Sequence, residues 1–284
     1  MRSLINMEDI LTTIVAHKRE QIAAEQRINV PEQMHEQALD YVASHKQQTA
    51  EGHYQPLRSM KQALAQSATG LIAEFKRRSP SKGWIKQDAD ASVITPGYEL
   101  AGASALSILT DETFFGGRLD DLCTARRLTK LPLLRKEFII DPYQVEQAVL
   151  AGADAILLIA ACLAPAEAEV LSAYAHRLGL EVLLEIHSAD ELRYLSCLPD
   201  MLGVNNRHLG TFVTDVNHSF QLATQLPTDG PLLVSESGIS SPETICRLRH
   251  VGFRGFLIGE TFMKTPSPAD TLRTMIQQIE TCRC

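Results

Sequence analysis

Short apolar runs recur along the chain, and each of them ends at a charged or amide side chain. The clearest runs are LIAEFK, LLRKEF, VLLEIH, LGVNNR and LLVSESG, which begin at Leu71, Leu133, Val182, Leu202 and Leu232. Near-continuous Val, Ile and Leu segments are typical of strands buried on both faces of a parallel sheet. Because the carboxyl ends of such strands meet at one edge, we expect these polar residues on a single rim, where α/β folds bind ligands.

A unit of helix, glycine and strand repeats through the chain, as in AGASALSIL from Ala101, AGADAILLI from Ala151 and VGFRGFLIG from Val251. A glycine at this point suits the left-handed residue that ends a helix. The pattern predicts strands near 71–76, 104–109, 132–136, 154–159, 181–186, 201–205, 231–236 and 255–258. Helices are predicted at 91–100, 119–128, 142–150, 165–178, 189–195, 217–226, 242–250 and 268–279.

This alternation of strands and helices predicts an α/β fold, a (β/α)8 TIM barrel. An open doubly wound sheet would have fewer strands and a glycine-rich nucleotide turn, and no G-x-G-x-x-G or Walker sequence occurs here. Before the barrel, residues 9–61 are polar and rich in Gln, Glu, Lys and Ala. We therefore expect one domain over 1–284, with an N-terminal helical extension at 1–66 and the barrel at 67–284. Spaced apolar residues in the extension suggest two or three helices laid on the surface of the main body, namely Ile10, Leu11, Ile14 and Val15. A solvated helical extension is a simpler interpretation than a partner-binding arm.

The net charge of -7 argues against nucleic acid or an anionic membrane as a partner, but it allows a small anionic substrate in a lysine-containing cleft. The chain has no apolar stretch of membrane-spanning length, and early charges interrupt any signal peptide. We expect a cytoplasmic protein that is a monomer or a weak homo-oligomer. Its six cysteines lack a C-x-x-C pair, so reduced thiols are expected, although Cys282 and Cys284 could bind metal or oxidise.

Strand alternation predicts which polar residues face the barrel interior. Glu74 and Lys76 are two residues apart and point the same way, as do Lys136 and Phe138. The later strands end at Glu185, Asn205, Arg207 and Glu236. Because uncompensated charge beside a core is costly, this many polar residues at one rim indicate a catalytic cluster with shifted pKa values.

Small residues follow the last two predicted strands, in Ser235-Glu236-Ser237-Gly238 and in Leu257-Ile258-Gly259-Glu260. In many barrels, backbone N–H groups at these two places bind a phosphate group. After the first strand, SPSKG at 79–83 suggests a mobile loop that could close over a ligand, with a plain solvated loop as the alternative. Nothing in the sequence calls for a metal, flavin or nicotinamide cofactor. We expect His187 and His208 to have packing roles.

Eight motifs, in this order, closely resemble the indole-3-glycerol-phosphate synthase family of tryptophan biosynthesis: IAEFKRRSPSKG, LTDETFFGG, LLRKEFIIDPYQ, GADAILLIA, LEVLLEIH, GVNNRHL, VSESGI and LIGETFM. The resemblance runs from about residue 5 to 275. It implies a carboxy-lyase that converts 1-(2-carboxyphenylamino)-1-deoxyribulose 5-phosphate to indole-3-glycerol phosphate, carbon dioxide and water without a cofactor.

The resemblance also implies roles for individual residues. Lys136 would be the general acid of ring closure and Glu185 the acid/base partner in dehydration. Lys76 would meet the substrate carboxylate, Glu74 would orient the lysines, and Asn205 would hold the hydroxyl of the intermediate. Other substrate contacts would come from Ser79, Phe115, Phe138, Arg207, Leu209 and Glu236, and the phosphate would rest on Ser237, Gly238, Gly259 and Glu260. Glu137 faces outward and is not expected to touch the chemistry.

Two alternatives stay open at this level. Another phosphosugar barrel, such as a phosphoribosylanthranilate isomerase, would need a cysteine or aspartate acid/base pair where this chain offers Glu74 and Lys76. A catalytically silent scaffold would normally have lost its acid/base residues, but Lys76, Lys136 and Glu185 are all present.

Overall fold

The computed structural model describes residues 7–50, 58–208 and 213–281, so that Leu209, Cys282 and Cys284 lie outside the described residues. The strands are β1 Leu71–Phe75, β2 Arg78–Ser79, β3 Gly83–Trp84, β4 Ala105–Leu109, β5 Leu133–Lys136, β6 Ala155–Ile159, β7 Glu181–Ile186, β8 Met201–Asn205, β9 Leu232–Glu236 and β10 Gly255–Ile258. The helices are α1 Met7–Ile28, α2 Pro31–Ala50, α3 Met60–Gln66, α4 Ala91–Ala101, α5 Glu112–Phe115, α6 Leu119–Leu128, α7 Pro142–Leu150, α8 Pro165–Arg177, α9 Asn217–Ala223, α10 Pro242–His250, α11 Glu260–Met263 and α12 Pro268–Thr281.

Within the described residues, eight parallel strands close into a barrel in the order β1, β4, β5, β6, β7, β8, β9 and β10, which returns to β1. The predicted (β/α)8 barrel is confirmed. Gly102 and Gly152 have φ angles of 101° and 85°, as expected for glycines that end helices before a strand. The predicted loop after β1 contains a short antiparallel pair, β2 with β3.

The barrel interior is filled by a cluster of buried apolar residues, which includes Ile72, Leu134 and Val234 from the strands. Met60 and Leu64 of α3 belong to the same cluster, and both are fully buried. Helix α3 is fixed there by Glu181 at the start of β7, whose carboxylate accepts a 2.9 Å hydrogen bond from the backbone N–H of Lys61. This short helix therefore closes the amino-terminal end of the barrel, opposite the rim where the strands end.

The first helix lies across the carboxyl-end rim. Ile10, Leu11 and Ile14 of α1 line the cavity at that rim, and Ile14 is only 3% exposed. Helix α2 packs on the outer helices, where His35 lies 2.9 Å from the carboxylate of Glu146 on α7. The inner face of α1 is therefore buried against the barrel, as expected for an amphipathic helix laid on the main body.

Two helices differ from their predicted form. The segment predicted as a helix at 189–195 is a 3-10 helix, Ala189–Cys197, and its buried residues Tyr194 and Cys197 are three apart, which matches the 3-10 repeat. Helix α9 ends at Ala223, short of the predicted 226.

Cysteine chemistry agrees only in part with the expectation of reduced thiols. Cys123, Cys162 and Cys197 are free, whereas Cys246 is disulfide-bonded. In the described parts of the chain, no helix combines the length and the apolar character needed to cross a membrane.

Candidate active site

Lys136 lies at the centre of the polar rim. It is the last residue of β5, and its ammonium group is 2.8 Å from Glu185 Oε2 and 2.6 Å from Glu236 Oε2. Glu185 belongs to β7 and Glu236 ends β9, so three separate strands bring these charges together. The parallel strands of a barrel all end on the same side. Strand position and the alternation of side chains are therefore enough to bring these three residues together.

The charges in this cluster shift one another's pKa values. Burial alone would lower the pKa of Lys136, but the negative charges of Glu185, Glu236 and Glu74 outweigh it and raise that pKa. Burial would likewise raise the pKa of Glu185, but the ammonium of Lys136 holds it at about 2. For Glu236, burial prevails over the attraction of Lys136 and raises the pKa to about 7. The site thus contains a protonated lysine, an ionised glutamate and a second carboxyl that readily holds a proton.

A second lysine–carboxylate pair stands at the end of β1. Lys76 Nζ is 2.5 Å from Glu74 Oε1, and both side chains are largely buried. The backbone of Gly259 passes so close that a Cβ there would lie 2.2 Å from Glu74 Oε1. A Cβ at position 259 would therefore displace this carboxylate.

Asn205 and Arg207 connect the acid/base cluster to the loop after β1. The side-chain amide of Asn205 donates a 3.0 Å hydrogen bond to Glu185 Oε1 and accepts one of 3.0 Å from the Arg207 backbone. The Arg207 guanidinium donates a 2.5 Å hydrogen bond to the Ser81 hydroxyl and lies 3.9 Å from Glu260. The same loop is held at Lys82, which pairs with Glu260 at 2.5 Å.

His187 lies closer to this cluster than its expected packing role implies. Its Nε2 atom is 3.4 Å from Glu185 Oε1, and neither ring nitrogen has a hydrogen-bond partner among the described residues. Burial lowers the pKa of His187 even though Glu185 and Glu191 oppose this effect. The sequence contained a signal for this placement, since His187 is two residues after Glu185 and therefore points to the same side of the strand.

The loop after β9 has an unusual backbone. Ser237 and Gly238 both have a left-handed backbone, with φ angles of 67° and 75°. Such a φ angle is uncommon for a residue other than glycine, so the conformation of Ser237 must be held by its surroundings. Asn206 holds this loop by donating hydrogen bonds of 3.0 Å to Ser235 Oγ and 3.1 Å to the Ser237 carbonyl. Sequence analysis missed Asn206, because a buried amide that braces a distant loop leaves no local pattern.

An apolar slot opens beside the acid/base cluster. Phe115 of α5 and Phe138, which follows β5, have ring centroids 6.1 Å apart with the planes tilted by 41°. Their slot continues along Leu109 and Ile159 of the barrel and is covered by α1. Apolar walls beside a few convergent charged groups are typical of small-molecule sites.

The same cavity is lined by every predicted site residue that the structure describes. These residues are Glu74, Lys76, Ser79, Phe115, Lys136, Phe138, Glu185, Asn205, Arg207, Glu236, Ser237, Gly238, Gly259 and Glu260. Leu209 lies outside the described residues. Across the described ranges, no group of three or more His, Cys, Asp or Glu side chains is arranged to hold a metal ion.

The chain matches the family model described as indole-3-glycerol phosphate synthase over residues 13–275. An indole-3-glycerol phosphate synthase of Bacteroides thetaiotaomicron is 57% identical over 96% of this chain and 100% of its own length. Proteins of the same name from Acidithiobacillus ferrooxidans and Bordetella pertussis are 41% and 39% identical, over 94% and 95% of this chain and 98% and 100% of their own lengths.

Solved structures with low sequence identity share the fold. KGPDC from Streptococcus mutans aligns with a TM-score of 0.57 at 12% identity, over 74% of this chain and 96% of its own. The alpha subunit of tryptophan synthase from Legionella pneumophila aligns with a TM-score of 0.57 at 17% identity, over 78% and 98%. These likenesses establish the barrel alone. By contrast, the family-model match and the close relatives span almost the whole length, and we conclude that the chain belongs to the indole-3-glycerol phosphate synthase family.

Proposed function

We propose that this cavity converts 1-(2-carboxyphenylamino)-1-deoxyribulose 5-phosphate to indole-3-glycerol phosphate, with release of carbon dioxide and water. The observation that carries the proposal is the Lys136 ammonium, held 2.8 Å from Glu185 and 2.6 Å from Glu236 in the cavity that the apolar slot of Phe115 and Phe138 also lines. The substrate has an aromatic ring, a polyhydroxy ketone and a phosphate, and we assign a region of the cavity to each.

The loops after β9 and β10 would bind the phosphate, through backbone N–H groups at Ser237, Gly238, Gly259 and Glu260. The aromatic ring would lie in the slot of Phe115 and Phe138, with its carboxylate toward Lys76. This orientation puts the keto group between the two ends, beside Lys136. Ser79, Arg207 and Glu236 would contact the sugar chain from the rim.

Ring closure needs a proton on the ketone oxygen. As the ring carbon that bears the carboxylate attacks the carbonyl carbon, Lys136 would donate a proton to the oxygen that becomes a hydroxyl. The bond to the carboxylate then breaks, and its electron pair returns to the ring as carbon dioxide leaves. Lys136 suits the acid role because the carboxylates around it keep it protonated at neutral pH.

Dehydration needs a base and an acid in sequence. Glu185 would remove a proton from the carbon next to the one that bears the hydroxyl, since its pKa of about 2 leaves it ionised, and the released electron pair would form the double bond of the new ring. Lys76 would assist by donating a proton to the hydroxyl formed in ring closure, which then leaves as water. Asn205 lies 3.0 Å from Glu185 and would hold the departing hydroxyl in line with that carboxylate. Glu74 would keep Lys76 oriented through their 2.5 Å ion pair.

We further propose that residues 1–284 act as one domain, because α1 and α3 pack at opposite ends of the barrel. The free thiols of Cys123, Cys162 and Cys197 support a cytoplasmic location, although Cys246 is disulfide-bonded. A monomer or weak homo-oligomer remains our expectation for the assembly state.

Turnover of the synthetic substrate tests the activity directly. Protein purified from a host that lacks this activity is mixed with the carboxyphenylamino ribulose phosphate and a chelator, and indole fluorescence is followed. We expect fluorescence to rise with one equivalent of carbon dioxide released per indole formed. No product at high protein concentration, or product without carbon dioxide, would contradict the proposal.

A further inference from the structure

Helix α1 places a fully buried lysine beside the active site. Lys18 is 1% exposed, and its ammonium lies 2.7 Å from Asp111 Oδ2 and 3.0 Å from Glu137 Oε1. It also donates a 2.9 Å hydrogen bond to Gln21 in the next turn of the helix. A buried ammonium is costly unless it is paired, and here it forms ion pairs with two carboxylates and a hydrogen bond with one amide oxygen.

The first of these partners controls the position of Phe115. Asp111 caps helix α5, since its Oδ1 accepts hydrogen bonds of 2.6 Å from the Phe114 N–H and 3.2 Å from the Phe115 N–H. Its other oxygen faces Lys18. One carboxylate therefore joins the ammonium on α1 to the backbone of an aromatic residue in the slot.

The second partner controls Phe138 in the same way. Glu137 Oε1 accepts a 2.9 Å hydrogen bond from the Phe138 N–H, and Oε2 accepts one of 2.8 Å from the Thr110 hydroxyl. Burial alone would raise the pKa of Glu137, but the charges of Lys18 and Arg135 outweigh it and hold the pKa below its ordinary value. Glu137 is thus an ionised anchor whose position depends on the cation from α1.

We propose that Lys18 is a positioning residue, which fixes the aromatic slot by holding Asp111 and Glu137 and, through them, Phe115 and Phe138. The inference rests on the proposed function, because it assumes that the slot binds the substrate's carboxyphenyl ring. In this proposal α1 does more than cover the cavity. The docked helix sets the spacing of the Phe115 and Phe138 rings, whose centroids are 6.1 Å apart. Glu137, which was expected to face outward and not to touch the chemistry, is part of this arrangement.

The test is the Lys18→Met variant, which keeps the length and apolar stem of the side chain but removes the cation that Asp111 and Glu137 share. We expect the KM for the carboxyphenylamino substrate to rise about tenfold or more, and kcat to fall by a smaller factor, because the slot binds the ring in both the ground state and the transition state. Inhibition by inorganic phosphate should stay within about twofold of the parent protein, since the phosphate loops are untouched.

A matched control separates this role from general docking of the extension. His35 on α2 also joins the extension to the barrel, through Glu146 and Tyr174, but none of these three residues lines the cavity. His35→Ala should lower thermal stability and leave KM unchanged. Equal increases in KM for the two variants, or parallel weakening of phosphate inhibition in Lys18→Met, would overturn the proposal.

A second variant decides the question if Lys18→Met does not fold. Asp111→Asn retains an oxygen for the Phe114 and Phe115 N–H groups but loses the charge that faces Lys18, and we expect a smaller increase in KM. An unchanged KM in this variant would also overturn the inference. The parent protein serves as a reference throughout: its failure to turn over would refute the proposed function, whereas normal parent turnover with unaltered variants would refute only the role of Lys18.

Discussion

Lys136 and Glu236 form a 2.6 Å ion pair in which the second carboxylate oxygen, Glu236 Oε1, has no hydrogen-bond partner among the described residues. The carboxyl is fully enclosed, and the backbone of Gly203 approaches it so closely that a Cβ there would lie 2.2 Å from Oε1. A buried carboxylate with one unpaired oxygen is poorly stabilised. The protein therefore keeps a readily protonated acid beside its central lysine.

Glu236→Gln should change the pH dependence of stability. Burial raises the pKa of Glu236 to about 7, so the folded state binds more protons than the unfolded state above the ordinary pKa of 4.5. Stability from this group is complete below 4.5 and is lost as the pH rises to about 7, with a total on the order of 3 kcal/mol. The melting temperature of the variant relative to the parent should therefore rise between about pH 5 and about pH 8, the range that brackets this loss.

An exposed glutamate provides the control for that experiment. Hydrogen bonds at the start of α10 lower the pKa of Glu243, so its contribution is present above pH 4.5 and is lost as the pH falls. Glu243→Gln should show a small effect of the opposite sign. A stability difference for Glu236→Gln that does not vary with pH would show that this carboxyl is ionised throughout.

Glu185→Gln should stop the reaction after ring closure. The amide keeps the size of the side chain and the contact with Asn205 but cannot accept the proton removed in dehydration, so kcat should fall by about 10²–10⁴-fold. Rapid-quench analysis of a single turnover should show a cyclised, decarboxylated intermediate. Glu191→Gln, which alters a residue near His187 outside the cavity lining, is the control. Normal turnover in Glu185→Gln, with no intermediate, would remove Glu185 from its role.

Gly259→Ala should disturb the pair of Glu74 and Lys76. The added Cβ would lie 2.2 Å from Glu74 Oε1, so the carboxylate must turn away from Lys76. We expect kcat/KM to fall about tenfold or more, because a misplacement of about 1 Å in a catalytic group is enough for such a loss. Gly97→Ala in helix α4, where the nearest atom is 3.3 Å from the added Cβ, should leave activity unchanged. Full activity in Gly259→Ala would mean that the orientation of Glu74 is not required.

Much of the polar rim could be predicted from the sequence. Strand alternation has a strict period of two, and parallel strands all end at the same side of a barrel. These two regularities bring Glu74, Lys76, Lys136, Glu185 and Glu236 to one cavity before any tertiary contact is known. His187 followed the same regularity and was nevertheless assigned to packing, because no partner residue stood at a metal-ligand spacing.

The contribution of α1 could not be predicted in this way. Amphipathic spacing shows that a helix buries one face, but it does not identify the surface that covers it. Lys18, as a lysine in a polar helix, has the local sequence of a solvated residue. Its burial depends on Asp111 and Glu137, which are brought to it only by closure of the barrel. Asn206 was missed for the same reason, since its partners Ser219 and Ser235 are distant in sequence.

The central claim, that Lys136 is the acid of ring closure, is tested most directly by the turnover of Lys136→Met. Lys130→Met, which changes an exposed lysine ahead of β5, is the matched control and should keep the parent rate. For Lys136→Met we expect kcat to fall by at least about 10²-fold while substrate affinity, measured by equilibrium titration, stays within about tenfold, since proton donation acts on the transition state. Turnover of Lys136→Met close to that of the parent protein would contradict the account.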